Sequence, residues 1–136
     1  MRAIALALVL AACGGSQPPS DHIDKRNEIA ILWAQIRDWR REAHMPLDPP
    51  RVFEIQLART PVQDAERVCQ ANHDVPKTCD DVCNLADAIC DNAETICKIA
   101  DELGKDDTYA QEKCTSAKAS CREGKQRCCD CSGAAQ

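Results

Sequence analysis

The stretch from Cys79 to Cys131 decides the fold and reads CDDVCNLADAICDNAETICKIADELGKDDTYAQEKCTSAKASCREGKQRCCDC. It holds nine of the eleven cysteines in the 136-residue chain. Six of these cysteines form two series with a spacing of seven residues: Cys83, Cys90, Cys97 and Cys114, Cys121, Cys128. Because seven residues make about two turns of α-helix, each series forms one stripe along a helix. The stretch therefore predicts two helices that each carry a stripe of cysteines.

The segment between the two series predicts a turn. Gly104 suits the position that follows a helix end, where a left-handed backbone is common. The next three positions offer residues that can cap a helix: Asp106, Asp107 and Thr108. Thr108 and Gln111 also have the spacing of a capping box. Since two helices joined by a short turn run antiparallel, we expect a helical hairpin with arms at about 79–103 and 107–131.

The cysteines of the two arms can be paired by their numbers, because facing residues of an antiparallel hairpin have a nearly constant sum. Three pairs share one sum, with a midpoint inside the predicted turn: Cys83–Cys128, Cys90–Cys121 and Cys97–Cys114. Four more pairs share a sum one unit lower: Cys79–Cys131, Ala86–Gly124, Ala93–Ala117 and Ala100–Ala110. Small residues between the bridges would bring the helices close enough for disulfides, whose Cα atoms lie about 5.5 Å apart.

Cys69 and Cys129 remain, and we pair them by elimination. This bond would clamp the preceding helix onto the base of the hairpin. Three cysteines are crowded at that end: Cys128, Cys129 and Cys131. Local exchange of partners among them therefore stays open. A shifted register would place Cys83 opposite Gly124 and form no bridge, and we reject it because ten exported thiols would then stay free.

The first thirteen residues have the features of an export signal. A positive start is followed by an apolar run, Ala3 to Leu10, and then by Leu10-Ala11-Ala12-Cys13. This order resembles the signal peptide and lipobox of bacterial lipoproteins. The resemblance implies that residues 1–12 are removed and that Cys13 is lipidated and becomes the mature N-terminus. The alternative is a hydrophobic helix that ends in a cysteine.

The lipobox also bears on the location of the protein. Without Cys13 the cysteines form an even set of ten, and export would place them where disulfides persist. Gly14, not Asp, follows the cysteine, which by the same resemblance implies transfer to the outer membrane. We expect an exported, membrane-anchored lipoprotein that faces the periplasm or the cell surface, with the leaflet left open. No transmembrane helix is expected, because no apolar run reaches 18 residues.

The residues before the hairpin predict three further helices. Apolar residues recur with helical period in the first, at about 24–43: Ile29, Leu32, Trp33, Ile36 and Ala43. A proline-rich link follows, and residues 51–59 could form a short helix with Val52, Ile55 and Leu57 inward. Thr60 as N-cap and Pro61 at the first helical position predict a third helix that extends to about Ala71.

The first arm of the hairpin has a second apolar flank, which requires a partner. Its residues are Val82, Ile89, Ile96 and Leu103. The face with Ile29, Trp33 and Ile36 is the best candidate in the chain. We therefore predict an all-α fold, in which a disulfide-stapled antiparallel helical hairpin has the N-terminal amphipathic helix packed alongside. The predicted organisation is a signal peptide at 1–12, a lipidated cysteine and flexible tether at 13–23, an amphipathic helix and proline-rich link at 24–60, and a cysteine-rich helical domain at 61–136.

Few residues point to chemistry. The three histidines lie far apart in the sequence: His22, His44 and His73. The cluster from Cys128 to Cys131 is dense enough for a soft metal, but export favours oxidation and a structural role. A net charge of -5 argues against nucleic acid as a partner. We assign no catalytic residue, no metal ligand and no cofactor.

The stapled hairpin resembles twin Cys-x9-Cys proteins and plant α-hairpinins, although this chain has three cysteines per arm at six-residue gaps. The chain as a whole is similar to cysteine-rich lipoproteins of bacteria. We therefore expect a non-enzymatic cell-envelope lipoprotein, a structural or interaction module whose partners are the membrane, through its lipid anchor, and an envelope protein. The alternative is a thiol-based protein that binds Cu(I) or zinc when its cysteines are reduced.

Overall fold

The structure is a computed structural model, and it describes residues 20–69 and 75–131. These residues form helices and loops without a strand, so the predicted all-α fold class is confirmed. The five α-helices are α1 Ser20–Glu42, α2 Arg51–Leu57, α3 Val62–Glu66, α4 Asp80–Leu103 and α5 Thr108–Asp130. One turn of 3-10 helix, Lys77–Cys79, leads into α4. Within the two described ranges, none of the helices is long and apolar enough to cross a bilayer.

Helices α4 and α5 form the expected antiparallel hairpin, with a turn at Gly104. This glycine ends α4 with a φ of 94°, which favours glycine, and its N–H donates to the Ala100 carbonyl at 3.0 Å. Asp107 caps α5, because its carboxylate accepts a hydrogen bond from the Ala110 N–H at 3.0 Å. The predicted capping box does not form. Instead, the Gln111 side chain donates to the carbonyls of Ala100 and Gly104, and so covers the end of α4.

A seam of small residues brings the two arms of the hairpin together. The seam residues are all buried: Ala86, Ala93, Ala100, Ala110, Ala117 and Gly124. At Gly124 a Cβ would lie 3.3 Å from both the Cα and the Cβ of Ala86, so this position has little room for a side chain. The small residues thus allow the short distance between helices that the disulfides require.

Helix α1 packs alongside the hairpin, as expected. Ile29 and Ile36 are fully buried and Trp33 is nearly so, and they share one hydrophobic core with Ile89 and Ile96 of α4. A further core residue of α4, Ile99, joins the same cluster. The amide of Asn92 on α4 donates to the Leu32 carbonyl and to the Gln35 side chain of α1. The apolar flank of α4 therefore finds its partner in α1.

Helix α1 begins earlier than predicted. It starts at Ser20, whereas the sequence predicts a tether to residue 23 and a helix from about 24 to 43. The extra turn is favoured by Asp21, which lies near the positive end of the helix dipole and pairs with Lys25 one turn later at 3.1 Å. The helix ends at Glu42, one residue before the predicted Ala43.

The inward face of α2 differs from the prediction. Val52 and Ile55 are 54% and 71% exposed, whereas Leu57 is buried as expected. Phe53, four residues before Leu57, packs on the core and completes the inward face. Glu54 adds a polar contact, because its carboxylate accepts a 2.6 Å hydrogen bond from the hydroxyl of Ser116 on α5. The contact with α5, rather than apolar periodicity, determines how this short helix is rotated.

Helix α3 is shorter than predicted. It begins at Val62, because Pro61 has an extended backbone and acts as the N-cap, and it ends at Glu66. Thr60 does not cap it. Its hydroxyl donates to the Leu57 carbonyl at the end of α2. The predicted end of this helix at Ala71 lies outside the described residues.

Candidate functional site

The ten cysteines of the described ranges form five disulfides, and these connect the same pairs that the numbering and the elimination predict. The pairs and their Cα–Cα distances are Cys69–Cys129 at 5.4 Å, Cys79–Cys131 at 6.1 Å, Cys83–Cys128 at 4.8 Å, Cys90–Cys121 at 4.6 Å and Cys97–Cys114 at 4.6 Å. The last three bridges are rungs between α4 and α5. Three bridges, Cys69–Cys129, Cys79–Cys131 and Cys83–Cys128, lie together at the end opposite the turn, which we call the disulfide base.

The bridges differ in their access to solvent. Cys90 and Cys121, in the middle rung, are 2% and 0% exposed, so this disulfide is sealed in the core. At the disulfide base, Cys69, Cys129 and Cys131 are half-buried. Any exchange of partners would therefore begin at the base, where an attacking thiol could reach sulfur.

Two of the crowded C-terminal cysteines have the spacing of a redox motif. Cys128 and Cys131 are three residues apart, the Cys-x-x-Cys spacing of thiol oxidoreductases. They are not bonded to each other. Cys128 is bonded to Cys83 and Cys131 to Cys79, so each sulfur is already in a disulfide with a cysteine from the start of the hairpin. In this arrangement the pair is structural.

One group of potential metal ligands occurs in the described part of the chain. The carboxylate of Glu66 and the sulfurs of Cys90 and Cys121 all lie within 4.8 Å of one another. The two sulfurs are bonded to each other, so neither is a thiolate that could bind a metal. Only reduction of this middle rung would provide two thiolates beside the carboxylate. The sequence gives no signal for Glu66, because its position depends on how α3 packs against the hairpin.

A polar cluster holds the start of α1 against the turn of the hairpin. Arg26 donates from Nε and from a terminal nitrogen to the two carboxylate oxygens of Asp107, at 2.8 and 2.9 Å. His22 Nε2 lies 3.6 Å from the same carboxylate, and the Arg26 guanidinium lies 5.7 Å from the centre of the Tyr109 ring. The hydrogen bonds from Arg26 hold the pKa of Asp107 below its usual value, although burial acts in the opposite direction.

Two cations are buried, although the sequence does not indicate them as core residues. Arg40 at the end of α1 is fully buried and donates to the Pro46 carbonyl at 2.7 Å, to the Asp48 carbonyl at 3.1 Å and to the Glu123 carboxylate at 2.7 Å. It thereby ties the proline-rich link to both α1 and α5. Because the charge is paired and hydrogen-bonded, its burial is tolerated.

Lys118 on α5 is the second buried cation. Its ammonium donates to the carbonyls of Ala58 and Thr60, at 3.4 and 2.9 Å, and so holds the link between α2 and α3. Burial lowers the pKa of Lys118 below that of an ordinary lysine. The side chain lines a groove of about 930 Å³ between this link and the hairpin. The arrangement serves as a structural clamp.

The remaining sequence candidates are not brought together. His22 and His44 lie near opposite ends of α1, and His44 follows the helix with a φ of 57°. His73 lies outside the described residues, as do the lipobox and Cys13. Comparison with models of known protein families, with curated proteins and with solved structures finds no match to this chain.

Proposed function

We propose that this protein is a non-enzymatic lipoprotein of the bacterial cell envelope, anchored to the membrane through Cys13. It acts as a rigid structural or protein-interaction module. The observation that carries the proposal is the set of five disulfides, three of which are rungs between the arms of one hairpin. Structural disulfides are typical of proteins exported to an oxidising compartment.

The lipobox supports the anchor. Leu10-Ala11-Ala12-Cys13 provides the cleavage site and the cysteine that receives lipid, and the ten other cysteines pair without a remainder. Each buried methylene of an acyl chain stabilises membrane binding by about 0.8 kcal/mol, so two or three chains hold a protein firmly. Gly14 favours the outer membrane as the destination. The membrane is then the first partner, and an envelope protein is the second.

The rigid character follows from how the helices are fastened. With only four aromatic residues, the chain has little material for a large core. Each disulfide can add about 2–4 kcal/mol by restricting the unfolded chain. The clamps of Arg40 and Lys118 fix the links between the short helices and the hairpin. Such a body would resist proteases and keep its shape outside the cell's chaperone systems.

Mass spectrometry of protein purified from membranes, without reduction, tests the proposal. We expect a chain that begins at an acylated Cys13 and contains five disulfides and no free thiol. A C13S variant should lose the lipid and leave the membrane fraction but keep the five bridges. Several free thiols, or a membrane-bound chain that retains residues 1–12, would contradict the proposed function.

A second candidate function, thiol-based metal binding, is supported by the position of Glu66 beside the middle rung. Thiolates select Cu(I) and zinc, and a neighbouring carboxylate favours zinc. The test is zinc titration of protein reduced with a phosphine, under anaerobic conditions. Binding should weaken in E66Q but not in E94Q, which changes an exposed glutamate on α4. Equal zinc binding by both variants, or none by reduced wild-type protein, would rule this candidate out.

A further inference from the structure

The polar contacts of α1 determine which end of the molecule lies nearest to the N-terminal segment. Lys25 pairs with Glu102, in the last turn of α4, at 3.3 Å. Arg26 pairs with Asp107, just after the hairpin turn, at 2.8 Å. The first turns of α1 therefore lie at the turn end of the hairpin. The disulfide base lies at the opposite end.

The length of chain before α1 is short compared with the hairpin. Six residues, 14–19, separate Cys13 from Ser20, and even a fully extended chain could carry the Cα of Ser20 only about 25 Å from that of Cys13. Helix α4 has 24 residues and is thus about 36 Å long. If the disulfide base rested on the membrane, the start of α1 at the turn end would lie about 36 Å above it, the length of α4. The segment between Cys13 and Ser20 spans at most about 25 Å, so a molecule anchored through Cys13 cannot adopt this orientation.

We propose that the turn end of the hairpin is the surface that contacts the lipid headgroups, and that the disulfide base projects away from the membrane. This proposal rests on the proposed lipidation of Cys13. The partner is a lipid surface with zwitterionic headgroups. Lys105 and Asp106, neighbours in the turn, are both exposed, so this end offers charges of both signs.

Exposed apolar side chains at the turn end support this orientation. Ile23, in the first turn of α1, is 58% exposed, and it lies next in sequence to His22 of the polar cluster. Ile55 on α2 is 71% exposed and lines a groove together with Lys105 and Thr108 of the turn region. Isolated isoleucines of this kind can enter the boundary between headgroups and acyl chains, which removes them from water.

Depth-dependent fluorescence quenching tests the orientation of the mature protein, acylated at Cys13. The vesicles contain phosphatidylcholine and phosphatidylethanolamine with brominated acyl chains, which quench tryptophan. Tryptophan replaces Ile23, Ile55 or, as a control at the disulfide base, the exposed Asp81. The two native tryptophans give the same background in every variant. We expect loss of the added emission in I23W and I55W, and none in D81W. A further variant, I31W, probes an exposed site about 12 Å along α1 and should be quenched less than I23W.

Carboxyl footprinting of wild-type protein on the same vesicles avoids any effect of substitution. A carbodiimide should modify Asp106 in the turn more slowly when vesicles are present and should modify Asp81 at an unchanged rate. Quenching of D81W, protection of Asp81, or the lack of any effect at the turn end would overturn the proposed orientation. Mass spectrometry of Cys13 beforehand separates the two failures, since an unacylated chain contradicts the proposed function itself.

Discussion

Asp107 connects three parts of the molecule through one carboxylate. It caps α5 and accepts both hydrogen bonds of Arg26 from α1, and it lies in the turn that joins the hairpin arms. A carboxylate with a lowered pKa stabilises the fold above its unfolded pKa. That contribution is lost as the pH falls through the lower pKa of the folded state.

Substitution of Asp107 should therefore change the acid sensitivity of the protein. Asparagine can still cap α5, but it lacks the charge and the second acceptor oxygen that Arg26 binds, so we expect D107N to lower the free energy of unfolding at pH 7 by about 1 kcal/mol and by less at pH 2. Guanidinium unfolding at the two pH values measures this. The matched control is D106N, which changes an exposed neighbour. A loss that is equal at both pH values would show that the carboxylate charge has no part in it.

The sequence could predict the contacts of some residues but not of others. The alanine and glycine positions follow from the constant sum across the hairpin, and Gly124 indeed lies against Ala86. Arg40 and Lys118 give no such signal, because the burial of each cation depends on backbone carbonyls of the links between helices, whose path has no periodicity to predict it. The position of Glu66 is equally unpredictable from the sequence, since a five-residue helix carries no periodicity that indicates its neighbours.

At the scale of helices, predictability depends on length. Helices α4 and α5 have 24 and 23 residues, so the repeated spacing of cysteines indicates their faces, their turn and their register. Helices α2 and α3 have seven and five residues, and tertiary contacts determine their ends and their rotation. This explains why Val52 and Ile55 are exposed, although the sequence predicts them on the inward face.

The Cys69–Cys129 bond should hold α3 in place without supporting the hairpin. In a C69S/C129S variant we expect faster amide hydrogen exchange in residues 62–66 and unchanged protection in α4 and α5. The reason is that α3 is too short to be stable alone. Mass spectrometry of exchanged peptides provides the measurement. A C79S/C131S variant, which removes another bridge of the disulfide base, should leave α3 protected. Slow exchange in residues 62–66 of C69S/C129S would contradict the clamp.

At the scale of the whole molecule, covalent bonds replace much of an ordinary core. The buried apolar residues include many alanines and cysteines, which remove little area from water compared with larger side chains. Domains whose core cannot stabilise them alone commonly depend on disulfides. The location of the protein and its membrane anchor, by contrast, are expectations from the lipobox.

Reduction should therefore remove the resistance of the protein to proteases. We expect the oxidised chain to survive trypsin with only its ends trimmed, whereas the chain reduced and alkylated at all ten bridging cysteines is digested rapidly. Gel electrophoresis and circular dichroism of both forms measure the effect. If the alkylated chain kept its helical signal and resisted digestion, noncovalent packing would suffice and the disulfides would be secondary.

Four of the five bridges are nested one inside the next, and the fifth, Cys69–Cys129, crosses Cys79–Cys131. Their partners are separated by 17, 31, 45, 52 and 60 residues, and each wider pair encloses most of the narrower ones. If the chain is exported as proposed and emerges in sequence order, it can close none of these bridges until Cys114 has passed. Closure of Cys97–Cys114 then brings the next pair within reach. The bridges can therefore form in order from the turn to the last cysteines, Cys129 and Cys131.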